Sequence, residues 1–206
     1  LDMSSNDLGF GGADKINAQG TNGIIIAGGG SDTVNTSGGD NVIFGDDGSF
    51  TFINGAYDTL QTIDPQSGGD DIISTGDGRD FVFGGAGSDL IHLGDGADFG
   101  IGDDGKITFD GGSFGIGTST DTTIGGSDTI FGDAGEDVLI GGTGDDAIDG
   151  GIGRDMIFGD NASVDRTTTA GISADPRFRQ LTGSAIYSTA EGTAGNVLVS
   201  AAPQKD

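Results

Sequence analysis

The sequence contains no cysteine, and only one of its 206 residues, His92, is a histidine. Disulfide bonds and thiolate metal sites are therefore excluded, and so is a zinc site built on a His-Glu-x-x-His motif. No apolar run is long enough to cross a membrane, and no N-terminal signal peptide is visible. We expect either a piece of a longer protein or a protein exported by a route that needs no N-terminal signal.

Basic residues and glutamates are also scarce. Eight Lys and Arg face 33 Asp and Glu, which gives a formal net charge of −25. This charge argues against nucleic acid, an anionic membrane surface or direct membrane insertion, and it favours multivalent cations as partners. Only Glu136 and Glu191 are glutamates, so all the other acidic residues are aspartates. Together with 44 glycines, this bias indicates carboxylates held close to the backbone in glycine-rich turns.

The abundant residues are organised in a nine-residue repeat. The pattern x-G-x-D-x-U-x-x-x, in which U is a large apolar residue, recurs in three blocks of four nonamers. The blocks are 11–46, 68–103 and 125–160, and they start at equal intervals along the chain. Each copy therefore consists of four nonamers and an insert of constant length, and the inserts are 47–67, 104–124 and a third that begins at Asn161. Such a fixed period is typical of a solenoid.

Each nonamer combines a glycine-rich turn with a strand of about three residues, so two nonamers form one flattened coil. Stacked coils predict an all-β fold with two parallel sheets and with aspartates along both edges. The middle residues of the facing strands would form the interior, and the pairs are Ile73 with Val82, Ile91 with Gly100, Ile130 with Leu139, and Ile148 with Ile157. So thin a core does not offset the entropy of ordering the chain.

The aspartates add to this deficit, because coils stack about 4.8 Å apart and bring like charges together. A dication between successive turns would convert that repulsion into cohesion. Carboxylates and turn carbonyls offer an all-oxygen shell, which suits Ca²⁺ better than Mg²⁺ because Mg²⁺ demands tighter geometry and gives up water reluctantly. We therefore expect Ca²⁺ to complete the fold, and the chain to be largely disordered without it.

Three segments, 84–92, 141–149 and 150–158, match G-G-x-G-x-D-x-U-x at every fixed position. The pattern resembles the nonapeptide of the RTX (repeats-in-toxin) family, and the resemblance covers roughly residues 11–160. It implies a parallel β-roll that binds Ca²⁺ between alternate turns, and secretion through a type I pathway. Carried over residue by residue, it implies that the metal ligands are Asp14, Asp32, Asp71, Asp80, Asp89, Asp98, Asp128, Asp137, Asp146 and Asp155.

Two nonamers depart from the pattern. Gly23 and Asn41 stand at the aspartate position, so that edge of the first copy should bind Ca²⁺ weakly or not at all. The turns that leave the fourth nonamers add further candidate ligands, which are Asp46, Asp47, Asp103, Asp104 and Asp160. They are expected to close one more site per copy, opposite Asp32, Asp89 and Asp146. The prediction is roughly two or three ions per copy, with the fewest in the first.

The outward flanks of the strands differ between the two sheets. First and third nonamers have mixed or polar flanks, whereas second and fourth nonamers are apolar on both sides, as in Phe81-Val82-Phe83. Because a continuous apolar face would not be left in water, we expect something to cover it. The candidates are a second protomer, which would give a lattice or filament, and short strands or a hairpin from the inserts. The apolar residues of the inserts are Phe50, Phe52, Ile53, Tyr57, Leu60, Ile63, Ile107, Phe109, Phe114 and Ile116.

The sequence thus predicts three regions: a lead-in or cap at 1–10, a β-roll at 11–160, and a C-terminal segment at 161–206. This last segment is expected to contain a third insert, followed at 182–200 by a degenerate repeat or capping hairpin. We expect no enzymatic activity. The preferred function is a calcium-binding structural module of a secreted, extracellular or cell-surface bacterial protein, such as a surface layer, matrix filament or large adhesin, that self-associates through an apolar outer sheet or the roll ends. The alternative is a C-terminal folding and secretion module of a type I-secreted enzyme or toxin.

Overall fold

The computed structural model describes residues 1–5, 11–20, 22–166 and 198–201. Within these ranges the protein is all-β, and its strands form three large sheets and one small sheet. The predicted parallel β-roll is confirmed. None of the described residues belongs to a helix long and apolar enough to cross a membrane.

Two six-stranded parallel sheets form the roll, and their strands are numbered along the chain. The odd sheet holds the strands of the first and third nonamers, which are β2 (Lys15–Ala18), β4 (Thr33–Thr36), β8 (Ile72–Ser74), β10 (Leu90–His92), β15 (Thr129–Phe131) and β18 (Ala147–Asp149). The even sheet holds those of the second and fourth, which are β3 (Ile24–Ile26), β5 (Val42–Phe44), β9 (Phe81–Phe83), β12 (Phe99–Ile101), β17 (Val138–Gly142) and β20 (Met156–Asp160). Each inner strand pairs with the strands of the coils before and after it.

The stacking register continues across the inserts. Within one copy, Ile73 pairs with Ile91, the equivalent residue of the next coil. Where an insert intervenes, Val34 pairs with Ile73, which is again the equivalent residue of the next coil. Each insert therefore leaves the roll and returns to it without displacing the coil that follows.

The interior between the two sheets is a single file of aliphatic side chains. Its buried members are Val34, Ile43, Ile73, Val82, Ile91, Leu93, Ile130 and Leu139. Leu93 was not predicted to lie there. It fills the space left by Gly100, since a Cβ added at Gly100 would lie 3.1 Å from a Leu93 methyl carbon. The predicted interior pair at the last coil is less enclosed, and Ile157 is 46% exposed.

A seven-stranded antiparallel sheet, called here the covering sheet, forms the third layer. Its strands are β1 (Asp2–Ser4), β6 (Gly48–Ile53), β7 (Ala56–Thr62), β13 (Gly105–Asp110), β14 (Ser113–Ser119), β21 (Ala162–Asp165) and β22 (Leu198–Ala201). The first two inserts form the hairpins β6–β7 and β13–β14, and the hairpins pair with each other through β7 and β13.

The covering sheet packs on the outer face of the even sheet. Phe83 of the even sheet is fully buried and stacks on Phe44 at 4.9 Å, and Phe99 packs against Phe114 of the second hairpin at 5.1 Å. The hydrophobic cluster between these two sheets also contains buried insert residues, which are Phe50, Leu60, Ile107, Ala162 and Val164. Of the two candidate covers, the inserts are therefore the one that the structure contains. Ile53 is an exception to the prediction, because it lies at a hairpin tip and is 57% exposed.

The ends of the chain also join the covering sheet. Strand β1 pairs antiparallel with β6, and β22 pairs antiparallel with β21. Residues 198–200, predicted to belong to a degenerate repeat or capping hairpin, thus pair in a hairpin-like manner and not as a parallel coil. Residues 167–197 and 202–206 of the predicted C-terminal segment lie outside the described residues. A small parallel sheet of β11 (Asp95–Gly96), β16 (Ala134–Gly135) and β19 (Ile152–Gly153) follows one edge of the roll.

Replacement of Phe83 by Ala tests the three-layer packing. The ring lies between the even sheet and the covering sheet, so its loss should lower the free energy of unfolding by about 3–5 kcal/mol at saturating Ca²⁺. The matched control is Ile72→Ala on the outer face of the odd sheet, where the side chain is 47% exposed. This control should cost about 1 kcal/mol or less. Equal losses in chemical denaturation of the two variants would contradict the packing described here.

Candidate functional site

The repeat aspartates form two rows, one along each edge of the roll, at the junction between a glycine-rich turn and the following strand. The odd row consists of Asp14, Asp32, Asp71, Asp89, Asp128 and Asp146. The even row consists of Gly23, Asn41, Asp80, Asp98, Asp137 and Asp155. All ten ligands predicted from the nonapeptide therefore lie in one of the two rows.

One carboxylate oxygen of each aspartate is used for stacking. The backbone N–H of Asp71 donates to Oδ1 of Asp89 at 2.8 Å, and the N–H of Asp89 donates to Oδ1 of Asp128 at 2.8 Å. In the even row, the N–H of Asp80 donates to Oδ1 of Asp98 at 2.7 Å. Each row aspartate after Asp14 thus satisfies a backbone donor of the preceding coil, which fixes its side chain against the turn.

Asn41 occupies the same position without a charge. Its Oδ1 accepts from the N–H of Gly23 at 2.9 Å, as an aspartate would. Its Nδ2 donates to the carbonyl of Gly39 at 2.7 Å and to Oδ1 of Asp80 at 3.1 Å. The amide therefore keeps the stacking contact, and its NH2 group makes two hydrogen bonds where an aspartate would present its second oxygen.

In six of the row aspartates, the second carboxylate oxygen is buried without a hydrogen-bond partner. This holds for Oδ2 of Asp32, Asp71, Asp80, Asp89, Asp128 and Asp146. A buried carboxylate oxygen that no donor satisfies costs free energy comparable to a lost hydrogen bond or more. A repeated set of such oxygens indicates that a cation belongs in the fold.

Glycine carbonyls converge on these same oxygens. A Cβ added at Gly45 would lie 2.2 Å from Oδ2 of Asp71 and 2.4 Å from the carbonyl oxygen of Gly84. Equivalent pairs of oxygens surround three more glycines along the odd row: Asp89 Oδ2 and Gly102 O at Gly84, Asp128 Oδ2 and Gly141 O at Gly102, and Asp146 Oδ2 and Gly159 O at Gly141. In the even row, a Cβ added at Gly132 would lie 2.9 Å from Oδ2 of Asp137 and 2.7 Å from the carbonyl oxygen of Gly150. Only glycine leaves this space to the oxygens.

Burial is the main reason why the pKa values of these carboxyl groups are raised. The pKa of Asp89 is raised to about 9, because desolvation and the neighbouring carboxylates together outweigh the lowering by the hydrogen bond from the N–H of Asp71. Desolvation likewise raises the pKa of Asp71 and of Asp128 to about 7. Without a cation, full deprotonation of the row carboxyl groups at neutral pH is therefore unfavourable. A bound cation would lower their pKa values and favour the charged form.

Three of the aspartates in the turns after the fourth nonamers, Asp46, Asp103 and Asp160, lie next to aspartates of the odd row. Asp46 accepts from the N–H of Ala86 at 2.7 Å and lies next to Asp71 and Asp89. Asp103 accepts from the N–H of Gly126 at 2.9 Å and lies next to Asp128 and Asp146, and Asp160 also faces Asp146. Desolvation raises the pKa of Asp46 and of Asp103 to about 8.

The predicted partners of Asp46 and Asp103 need correction. The sequence placed Asp46 opposite Asp32 and Asp103 opposite Asp89, but each lies beside aspartates of the following copy. The reason is that the insert begins directly after these turns, so the side chain points forward onto the coil that follows the insert. Asp47 and Asp104 instead begin the hairpins, and their backbone carbonyls accept from the N–H groups of Ile63 and Thr120.

The donor set decides which metal fits. Among the described residues, no three acidic or imidazole side chains converge closely enough to hold an ion by themselves. Backbone carbonyls must therefore complete any shell, which gives hard oxygen ligands in a flexible arrangement. Ca²⁺ accepts such a shell of six to eight oxygens, whereas Mg²⁺ requires a tighter octahedron. The residues present thus fit the calcium predicted from the sequence.

The raised pKa values predict an inverted pH dependence for the calcium-free protein. Between about pH 4 and pH 9, the unfolded chain releases protons that folded aspartates such as Asp89 keep, so each such group lowers stability by up to about 1.4 kcal/mol per pH unit. Far-UV circular dichroism in excess chelator should therefore show most β-structure near pH 4 and lose it as the pH rises. With Ca²⁺ present, stability should rise over the same interval because the ion binds deprotonated carboxylates. A calcium-free protein that gains structure with rising pH would contradict this account.

Comparison with known proteins agrees with the geometry of the rows. The model of the RTX calcium-binding nonapeptide repeat (4 copies) matches residues 17–49, 66–99 and 122–157. No curated protein and no solved structure matches the chain. Repeats of this kind are structural calcium-binding units and not catalytic ones. The chain belongs to the RTX calcium-binding nonapeptide-repeat family, and it is a calcium-binding module of a bacterial protein.

Proposed function

We propose that this module is a structural element of a secreted or cell-surface bacterial protein, and that it folds and becomes rigid when Ca²⁺ binds. The repeat aspartates hold the ions along both edges of the roll. The RTX family supports the choice of ion, and the net charge of −25 supports a partner of high positive charge density. Millimolar extracellular Ca²⁺ lies in the affinity range of extracellular modules.

The observation that carries this proposal is the paired arrangement of oxygens. Asp71, Asp89 and Asp128 each present a buried, unpartnered Oδ2 beside a glycine carbonyl of the neighbouring turn. The arrangement recurs at four successive coils, whether or not an insert separates them, so it belongs to the stack and not to any single turn. A structural carboxylate that only capped a turn would be satisfied by backbone donors through both oxygens or exposed to water.

The ion count follows from the rows. The four oxygen pairs of the odd row would each take part in one site, with Asp46 and Asp103 adding a carboxylate where an insert interrupts the coil. The even row supplies further sites from Asp80 onward. It supplies none at Gly23, which lacks a side chain, and a weak one at most at Asn41. This gives roughly two or three ions per copy, with the fewest in the first.

Replacement of Asp89 by Asn tests the ligand assignment. An amide Oδ1 can still accept from Asp71 N–H, as Asn41 does from Gly23, so the stacking contact survives while the charge is lost. We expect the calcium concentration at the folding midpoint to rise about tenfold, because the charge of the ligand set controls affinity. The measurement is a calcium titration followed by far-UV circular dichroism.

The control for this titration is Asp110→Asn, which removes a carboxylate exposed at a hairpin tip. It should leave the midpoint within about a factor of two, since exposed charges contribute little to a site they do not touch. If both variants shift the midpoint equally, the effect is one of net charge, and Asp89 is not a ligand.

Self-association through the roll ends completes the proposal. The covering sheet occupies the apolar face of the even sheet, so that face no longer offers a contact to a second copy. At the last coil, Ile152 is 79% and Ile157 46% exposed, and β18 and β20 each have a described neighbour on one side only. An unpaired parallel edge with exposed apolar residues can accept the first coil of another copy, and such a head-to-tail contact extends into a filament.

Sedimentation velocity at millimolar Ca²⁺ tests this assembly. The double variant Ile152→Ser and Ile157→Ser should remain monomeric at concentrations where the unmodified chain forms larger species, because the apolar contact is lost. Ile53→Ser is the control, since this side chain is 57% exposed but lies at a hairpin tip away from the roll ends. Assembly that persists unchanged in the double variant would refute the roll-end contact.

A further inference from the structure

The covering sheet has one strand more than either large sheet of the roll. Each copy contributes two strands to each sheet of the roll, so that three copies give six. The inserts also contribute two strands each to the covering sheet, namely β6 with β7, β13 with β14, and β21 with β22. Strand β1 is therefore a seventh strand that the repeat itself does not require.

Strand β1 pairs where the return strand of a preceding insert would pair. The return strand β7 places Leu60 opposite Ile107 of the next insert. One copy earlier along the repeat, the residue equivalent to Ile107 is Phe50, and β1 places Met3 opposite it. Both pairings are antiparallel and continue in the same register on either side of these residues. At this end of the covering sheet, β1 thus takes the place of a return strand.

Strand β22 is the return strand of the third insert. It pairs with β21 in the register in which β7 pairs with β6, so Val199 is equivalent to Leu60. Strand β7 has β6 on one side and β13 on the other, whereas β21 is the only described neighbour of β22. The other edge of β22 can therefore accept an outgoing strand such as β6 of a second copy.

A head-to-tail contact between roll ends has room for only one return strand. At the junction of the first two copies, β4 and β5 pair directly with β8 and β9, and one strand, β7, lies between β6 and β13. If the last coil of one copy stacked in this way on the first coil of a second copy, both β22 and β1 would lie between β21 and the next β6. The extra strand would separate the roll ends by about 4.8 Å, the spacing of neighbouring strands. One of the two strands must therefore leave.

Strand β1 is held mainly by its backbone. The N–H of Phe52 donates to the carbonyl of Leu1 at 2.8 Å, and three residues of β1 pair with β6, against four that pair β22 with β21. Leu1 is 76% and Met3 50% exposed, whereas Leu60, at the equivalent place of β7, is fully buried. Release of β1 therefore removes few backbone contacts and exposes little further apolar surface.

The last coil carries a carboxylate that matches a following coil. Asp103, in the turn that leaves the second copy, accepts from the N–H of Gly126 in the first coil of the third copy at 2.9 Å. The equivalent residue of the third copy, Asp160, is exposed. In a second copy stacked in line, the N–H of Gly12 would lie where Gly126 lies. This contact gives the head-to-tail arrangement a direction and a register.

We propose that β1 blocks head-to-tail assembly, and that β22 of one copy takes its place on β6 of the next. The partner is a second copy of this chain, and Val199 then lies opposite Phe50 of that copy. The covering sheet continues from copy to copy together with the roll. This inference rests on the proposed self-association and adds the step that limits it, which is the release of β1.

Two disulfide locks decide which strand leaves, because the chain has no cysteine of its own. Ser4 pairs with Ser49, so Ser4→Cys combined with Ser49→Cys locks β1 onto β6 after oxidation at low protein concentration. Ser163 pairs with Ser200, so Ser163→Cys combined with Ser200→Cys locks β22 onto β21. Residues that face each other on paired strands lie within the Cα separation that a disulfide spans.

Sedimentation velocity at millimolar Ca²⁺ compares the oxidised and reduced forms of both locks. The oxidised β1 lock should stay monomeric at concentrations where its reduced form assembles, whereas the β22 lock should assemble equally in both forms. Assembly of the oxidised β1 lock, or its loss in the oxidised β22 lock, would overturn the proposal. If the unmodified chain and the reduced forms do not assemble either, the proposed self-association is itself wrong, and this inference fails with it.

Met3→Pro tests the release of β1 in the opposite direction. Leu1 and Phe52 exchange two hydrogen bonds, and bonded residues alternate along an antiparallel strand, so the N–H of Met3 also faces β6. Proline removes this donor, and the protein concentration at half assembly should fall about tenfold. The N–H of Ser4 points away from β6, so the control Ser4→Pro should change that concentration by less than about twofold. A Met3→Pro variant that folds but assembles no more readily than Ser4→Pro would contradict the blocking role of β1.

Discussion

The structure depends on how each repeat aspartate divides its two oxygens. One oxygen accepts a backbone N–H from the preceding coil, as Asp89 does from Asp71 at 2.8 Å. The other is buried with no hydrogen-bond partner in Asp71, Asp89 and Asp128. The hydrogen-bonded oxygen fixes the register of the coils. The buried, unpartnered oxygen raises the free energy of the folded state unless a cation binds to it. This division of the oxygens is the reason for our proposal that folding and calcium binding are coupled.

The covering sheet adds the buried apolar area that the two-sheet roll lacks. A two-sheet roll with one file of aliphatic residues buries little apolar area, and its even sheet would expose a second apolar face. The hairpins bury that face under aromatic residues such as Phe109 and Phe114, so the even sheet becomes the middle layer of three. Parallel strands buried on both sides are apolar at every position, which accounts for Phe81-Val82-Phe83. The first two hairpins also begin directly after buried aspartates, Asp47 and Asp104.

Much of this architecture could be predicted from the sequence because its signals are periodic. The nonamer determines the spacing of the strands, and the apolar flanks around Val82 indicate a further layer. Features set by three-dimensional fit were missed. Leu93 enters the interior only because Gly100 opposite leaves room, and a single-sequence pattern does not show that space. Asp46 was assigned to the wrong neighbours because the direction in which a chain leaves a coil is decided by the hairpin that follows. Contacts that cross between copies depend on the stacking of the whole roll, so a motif confined to one nonamer does not contain them.

The most direct test of the account is far-UV circular dichroism of the whole chain across a calcium titration near neutral pH. We predict a largely disordered spectrum in excess chelator, because buried carboxylates such as Asp89 then lack their counter-charge. A cooperative change to a β-sheet spectrum should follow as Ca²⁺ approaches millimolar concentration. A fully folded spectrum in excess chelator would contradict the claim that the cation completes this fold.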